Sequence, residues 1–327
     1  MRKTVPCKST VLLFSLVLLF SSAAKAQSAT FANGKVEAGI GLGPLFFLGD
    51  LGGNRGVGTR FVKDVNLPLT KFAKGVFVQY YFKEWLSARL AVNAGLLEGD
   101  DALINGKGGY EESRKIRNLN FRSKLQEAYL AFEISPTVFM EQYEGLFHKV
   151  RPYVIGGVGV FHFNPQGKYF APDGTWKWVD LQPLRTEGQG MTEYPDRKPY
   201  NLTQVMLPIG VGVKYYLSEN VFIGAEILHR KTFTDYIDDV STNYIDANLF
   251  GQYLTPDQAA VANQVHYRQD FVPGAATTRP ATVGEQRGNP KQNDSYFSSI
   301  IRMGWRFADV LDSDRRALRA SRCPSYF

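Results

Sequence analysis

The stretch Leu86-Ser87-Ala88-Arg89-Leu90-Ala91-Val92-Asn93-Ala94-Gly95-Leu96 decides how this chain is read. Leu86, Ala88, Leu90, Val92, Ala94 and Leu96 fall on one face at period two; Ser87, Arg89, Ala91, Asn93 and Gly95 fall on the other. A period of two with one apolar face marks a strand lying between two environments. In a soluble sandwich the second face would meet water and carry Lys, Glu and Thr. Here it mixes Gly, Ala and Ser with isolated charges, which suits a narrow lumen, while the apolar face suits lipid. An Arg facing lipid at mid-bilayer costs about 2–4 kcal/mol, so Arg89, Arg302 and Arg306 are predicted to point inward.

The pattern recurs along the chain. In 123–135, Ala128, Leu130, Phe132 and Ile134 oppose Glu127, Tyr129, Ala131 and Glu133. In 202–217, Val205, Leu207, Ile209, Val211, Val213 and Tyr215 oppose Met206, Pro208, Gly210, Gly212, Lys214 and Tyr216. In 221–232, Val221, Ile223, Ala225 and Ile227 oppose Phe222, Gly224, Glu226 and Leu228. In 294–307, Phe297, Ile301, Met303, Trp305 and Phe307 oppose Ser298, Arg302, Gly304 and Arg306. With 35–48, 72–82, 86–97 and 150–163, this makes eight predicted strands, each long enough to cross a bilayer when tilted. Short links at 83–85 and 218–220 and a medium one at 136–149 alternate with long polar links at 49–71, 98–122, 164–201 and 233–293. That parity puts every long link on one side, as in outer-membrane barrels. The expected fold is all-β: an eight-stranded up-and-down antiparallel transmembrane β-barrel with four long extracellular loops. Tyr80, Phe82, Trp85, Tyr215, Trp305 and Phe307 gather at the short-link ends, where an aromatic girdle belongs.

The ends of the chain read differently. Arg2, Lys3 and Lys8, an apolar run from Val11 to Phe20, and Ala24-Lys25-Ala26 form a secretory signal over residues 1–26; 27–307 is the barrel and 308–327 a basic periplasmic tail. Removing the signal takes four positive charges from a total of +7, so the basic balance is weak evidence for a nucleic-acid partner, and none is expected. The mature chain keeps one cysteine, Cys323, which excludes an intrachain disulfide. No later run is long and apolar enough for a membrane helix.

Gly43-Pro44-Leu45-Phe46-Phe47-Leu48-Gly49-Asp50-Leu51-Gly52-Gly53 resembles the opening of a Bacteroidetes outer-membrane barrel family, the one that includes PorG of the type IX secretion system. Three further stretches are similar: Ala73–Tyr81 with the Trp85–Arg89 strand, Arg151–Phe163 ending in Phe-Asn-Pro, and Thr234-Asp235-Tyr236-Ile237-Asp238-Asp239-Val240-Ser241-Thr242-Asn243-Tyr244. The resemblance implies a non-enzymatic barrel that links the outer membrane to periplasmic secretion-machinery proteins, with outer-membrane lipid as the other partner. The surfaces offered to such a partner are the Met140–Lys149 link and the tail, where Arg315, Arg316, Arg319 and Arg322 could dock an acidic protein or remain a solvated end.

Buried chemistry is expected in the lumen. Arg89, Glu127, Glu133, Lys214, Glu226, Arg230, Arg302 and Arg306 all have inward parity, and opposite charges there can pair and plug the barrel. Asp235, Asp238, Asp239 and Asp246 gather on one loop, with His229 and His266 elsewhere on the same side. A rim hydrolase would need an Asp–His pair on facing strands, and His229 has lipid-side parity. The Asp spacing is not that of an EF-hand, and His148 and His162 lack metal-ligand spacing. No catalytic residue, cofactor or metal is predicted. A small porin or transporter and a surface-binding barrel stand as alternatives.

Overall fold

Alternating faces build eight long strands in the computed structural model, which describes residues 35–52, 69–83, 85–104, 111–139, 150–218, 220–271 and 282–307. They are β1 (Lys35–Leu48), β2 (Lys71–Lys83), β3 (Leu86–Asp100), β4 (Asn120–Ile134) and β5 (Val150–His162), then β8 (Thr203–Tyr216), β9 (Val221–Thr232) and β10 (Ser295–Arg306). Between them lie two short strands, β6 (Pro165–Phe170) and β7 (Trp176–Asp180). Each long strand pairs antiparallel with its two neighbours. β1 joins β10 as well as β2, and β3 joins β4 to close the ring. Closure leaves the barrel without a free edge, as hydrocarbon demands of a sheet that spans it.

The apolar face points outward. Ile40, Val76, Leu90, Val92, Leu130, Phe132, Val158, Ile209, Val211 and Ile301 are exposed large hydrophobics on the wall, and the 57 % exposure of Leu90 would be costly in water. Their band is the lipid-facing belt of a membrane barrel. No helix among the described residues is long and apolar enough to cross a membrane. Inside, Phe77, Tyr129, Tyr153, Phe161, Phe222 and Tyr296 fill the barrel. A Cβ at inward-facing Gly39 would come within 2.1 Å of the Met303 carbonyl oxygen and 2.8 Å of the Phe77 ring, so glycine is needed there for the close approach of β1 to β10.

Two differences from the sequence expectation concern the long-loop side. β3 and β4 continue in register as far as Asp100↔Asn120, beyond the rim, because Leu97 and Phe121 keep their inner faces buried. The long links are also not featureless. After Phe163 the chain runs as β6 beside the upper end of β4, with Arg122 opposite Gln166, and β7 completes a hairpin. Helix α1 (Glu111–Arg117) belongs to the second loop; α2 (Phe250–Tyr253) and α3 (Pro256–His266) belong to the fourth. The Thr255/Gln258 capping box starts α3, and Ala259, Ala262, Val265 and His266 form its buried face. With Leu181, Leu184, Met191, Ile245 and Phe250 this face makes a second apolar core that caps the barrel. These helices escape a periodicity reading because α1 and α2 are short and the buried face of α3 is built mostly of small residues.

Replacing Leu90 by Arg should lower the unfolding free energy by about 2–4 kcal/mol in lipid vesicles, read from denaturant titrations of the refolded barrel. An unchanged midpoint would mean that this face does not meet lipid.

Candidate functional site

The inner wall carries a layered lattice of charged and phenolic side chains. In the middle layer Glu226 accepts from Arg89 at 2.5 Å, from Arg302 at 2.5 Å and from the Tyr153 hydroxyl at 2.8 Å. Arg89 also pairs with Glu133, and Arg302 donates to the Tyr129 hydroxyl at 3.1 Å. Towards the short turns, Lys214 reaches Glu133 at 2.6 Å, Gln79 at 3.0 Å and Glu37 at 3.4 Å. Glu37 accepts from Tyr81, Tyr216 and Arg306 at 2.8–3.1 Å. Towards the loops, Glu127 accepts from Arg230 at 2.6 Å, Asn93 at 2.7 Å and Tyr296 at 2.8 Å, while Arg230 also holds Ser298. Buried charges persist when each finds a partner of opposite sign, as here, although Arg230 Nε and Arg302 Nε are left without an acceptor. Deleting one member of such a pair typically costs about 3–5 kcal/mol.

The structure thus brings together all eight lumen residues singled out from the sequence: Arg89, Glu127, Glu133, Lys214, Glu226, Arg230, Arg302 and Arg306. It adds Glu37 as a fourth carboxylate. Its signal was present, since Glu37 shares parity with Gly39 and Gly41. Of the aromatic residues, Phe82, Tyr215, Trp305 and Phe307 are exposed on the outer face near the short turns, and Tyr80 packs edge-on against Phe82 with ring centroids 5.1 Å apart. Trp85 is half-buried in the β2–β3 turn. The expected signal segment 1–26, the Met140–Lys149 link and the expected tail with Arg315, Arg316, Arg319 and Arg322 lie outside the described residues.

Above the lumen, two arginines tie the loops together. Arg117 forks onto Asp101 at 2.7 and 3.0 Å, and also donates to the Asp50 carbonyl at 2.6 Å and the Arg287 carbonyl at 2.5 Å. Arg287 pairs with Glu187 at 2.8 Å and donates to the Asp239 carbonyl at 2.7 Å. Glu187 in turn caps the Ser241 and Thr242 amides at 3.0 and 2.9 Å. Asp239 adopts a left-handed backbone (φ 64°) and accepts from Tyr200 at 2.7 Å and from Thr186. Burial pushes its carboxyl up to about 6.

Four other aspartates share this buried zone. Asp50 accepts from the Asn289 amide at 2.6 Å. Asp238 accepts from the Leu51 and Val240 amides at 2.9 and 3.0 Å. Asp294 accepts from the Ile237 amide at 2.8 Å. Asp235 finds no hydrogen-bond donor for either oxygen; the Ser241 hydroxyl lies near without completing a bond. Burial raises all four carboxyls, and their mutual repulsion adds to it: Asp235 reaches about 8, and Asp238 and Asp294 rise well above the usual range. Spacing alone could not reveal the cluster, because Asp50 and Asp294 come from opposite ends of the barrel sequence.

A rim hydrolase finds no assembled pair in this arrangement. Asp238 and Asp239 are fully buried beneath the cap, and His266 Nδ1 lies 2.7 Å from the Thr186 carbonyl oxygen instead of facing a carboxylate. Among the described residues no group of three His, Cys, Asp or Glu side chains is placed to hold a metal ion.

The model of the family described as outer membrane protein beta-barrel domain matches residues 12–252. No curated protein matches the chain. Similar solved structures include a major outer membrane protein of Thermus thermophilus (12 % identity, TM-score 0.35, covering 84 % of this chain and 99 % of that one). Another is OprG of Pseudomonas aeruginosa (10 %, TM-score 0.35, 84 % and 97 %). A third is Ail of Yersinia pestis, solved with sucrose octasulfate (9 %, TM-score 0.33, 84 % and 99 %).

His266 supplies a test of the cap. Burial holds its imidazole down at about 3, so it folds in neutral. Its contribution to stability is therefore full above the unfolded value near 6.5 and is lost as pH falls from there towards about 3. Acidification from neutrality to about pH 4.5 should lower the amide protection factors of α3, each observed rate being compared with the intrinsic rate at the same pH. His266→Phe should remove that acid response while loosening the helix at neutral pH, where the Thr186 carbonyl loses its partner. An acid response retained in the variant would assign it to another group.

Proposed function

The chain belongs to the outer membrane protein beta-barrel domain family, and from that premise we propose that it is a closed, non-conducting barrel acting as a structural or interaction component of an envelope assembly. The observation that carries this reading is the filled lumen. Arg89, Glu226 and Arg302 meet at its middle, with Lys214 and Glu37 below and Glu127 and Arg230 above, so buried ion pairs occupy successive layers of a narrow interior. The likeness of Gly43–Gly53 and Thr234–Tyr244 to the secretion-linked barrel family favours type IX protein secretion as the assembly, with periplasmic machinery proteins as partners.

A second reading, surface binding, rests on a different observation. Phe170, Trp176 and Phe271 remain exposed on the loop side, and Trp176 and Phe271 pack 5.5 Å apart, centroid to centroid, with Lys168 and Arg268 over the rings. Aromatic faces edged with cations suit an anionic or carbohydrate ligand.

In planar bilayers the folded protein should show no steady conductance; steady ohmic current would make it a porin. A photo-crosslinker at Arg316 in intact cells should capture periplasmic secretion-machinery proteins, identified by mass spectrometry. An inserted barrel that captures none would move the function to the loop face.

A further inference from the structure

The underside of the cap differs from the lumen in how its charges are matched. In the lumen Glu37, Glu127, Glu133 and Glu226 each pair with a cation. In the cap, Arg117 is engaged by Asp101 and Arg287 by Glu187, and none of Asp50, Asp235, Asp238 and Asp294 forms an ion pair with a described residue. Main-chain bonds draw the four together. Asp238 accepts from the Leu51 amide, beside Asp50. Asp294 accepts from the Ile237 amide, beside Asp238, and its own amide donates to the Thr234 carbonyl, beside Asp235. Asp238 and Asp294 are 0 % and 1 % exposed, and Asp235 is 7 % exposed. Both carboxylate oxygens of Asp235 and Oδ1 of Asp294 are buried without a hydrogen-bond partner.

A buried carboxylate without a cation is costly, and neighbouring carboxylates add repulsion, so such groups take up protons. Among the described residues no three of these side chains are placed to hold a metal ion. The other charged groups facing the cluster do not cancel it. Arg114 and Arg117 from the second loop and Glu187 from the third act on Asp50, and Glu187 acts on Asp235 as well. Asp238 shares a small cavity with Lys168, Arg268 and Arg287. There Arg268 donates to the Asn118 and Lys168 carbonyls, and Arg287 pairs with Glu187. Asp239 is held by Thr186 and Tyr200. We infer that Asp50, Asp235, Asp238 and Asp294 form a proton-held latch: protons on these carboxyls let the first and fourth loops close over the mouth of the barrel, and their loss to an alkaline medium releases both. Released protons pass to water or hydroxide, and the negative charges left behind then repel one another out of reach of solvent. Burial first, and the neighbouring carboxylates after it, raise Asp235 to about 8 and carry Asp238 and Asp294 well above the usual range. A group raised in this way gives stability that is full below its unfolded value near 3.8 and is lost as pH rises through its folded value, about 8 for Asp235. The sense is opposite to that of His266 in α3, which loosens on acidification. The latch is independent of the barrel's partner.

The test uses the full-length protein refolded in detergent, with amide exchange of 49–52 and 233–240 followed from about pH 6.5 to about pH 9.5 and each rate compared with the intrinsic rate at the same pH. Protection in both segments should fall at least about tenfold across that range, while 222–228 in β9 stays constant. Infrared spectra should show a protonated-carboxyl band at neutral pH that is lost by about pH 9.5. Asp235→Asn with Asp294→Asn, neutral at every pH at both positions, should flatten the exchange response and shrink the band. Should that double variant fail to fold, Asp235→Asn alone gives up no hydrogen bond and should still weaken the response at least about threefold. Wild-type protection that ignores pH, or a wild type without the band, would overturn the latch, as would a variant that responds like wild type. A fall shared by β9 would assign the response to the whole barrel and overturn it equally.

Discussion

Hydrocarbon offers no partner to a peptide N–H or C=O, and that constraint orders everything else in this molecule. It forces the sheet to close, so β3 must find β4 and β1 must find β10. Closure then turns one face of every strand towards lipid and the other towards an interior too narrow for bulk water. Once water is excluded there, each inward charge needs a protein partner. The Arg89–Glu226–Arg302 centre follows from closure just as the outer belt of Leu90, Val92 and Leu130 does.

The same reasoning separates the two polar zones. In the lumen, strand parity points cations and anions inward, and they meet both between neighbouring strands, as in Arg302–Glu226, and across the barrel, as in Arg89–Glu226 and Arg230–Glu127. The cap is assembled from loops with no shared register, so its arginines act at long range in sequence. Arg117 gathers main-chain groups of Asp50 and Arg287 around its pairing with Asp101. A guanidinium suits this work because its planar fork presents several donors at fixed angles.

Much of the barrel was legible because period two survives any change of neighbour. Parity alone assigned Glu133, Lys214 and Arg302 to the inner wall, and the alternation of long and short links placed the loops on one side. What the sequence withheld is non-local. Nothing near Glu187 announces Arg287, one hundred residues away, and nothing near Asp235 announces Asp294. The α3 helix was hidden for a different reason: its buried face is built of Ala259, Ala262 and Val265, too small to raise a clear apolar period. The β6–β7 hairpin was hidden because β6 pairs with β4, a strand already assigned to the wall.

Surface loops of envelope proteins are where antibodies, phages and predators exert selection, and free loops can drift under it one at a time. Here a single guanidinium, Arg117, holds main-chain oxygens of Asp50 and Arg287 as well as the side chain of Asp101, so the first, second and fourth loops share one fastening. A change that displaces any of these backbones loosens the others. The turn Pro172–Thr175 stands apart from this fastening: its side chains are exposed, and Gly174 alone is held to its type, by a left-handed backbone (φ 79°). The architecture thus divides its outer surface into a part that must change in concert and a tip that can change alone.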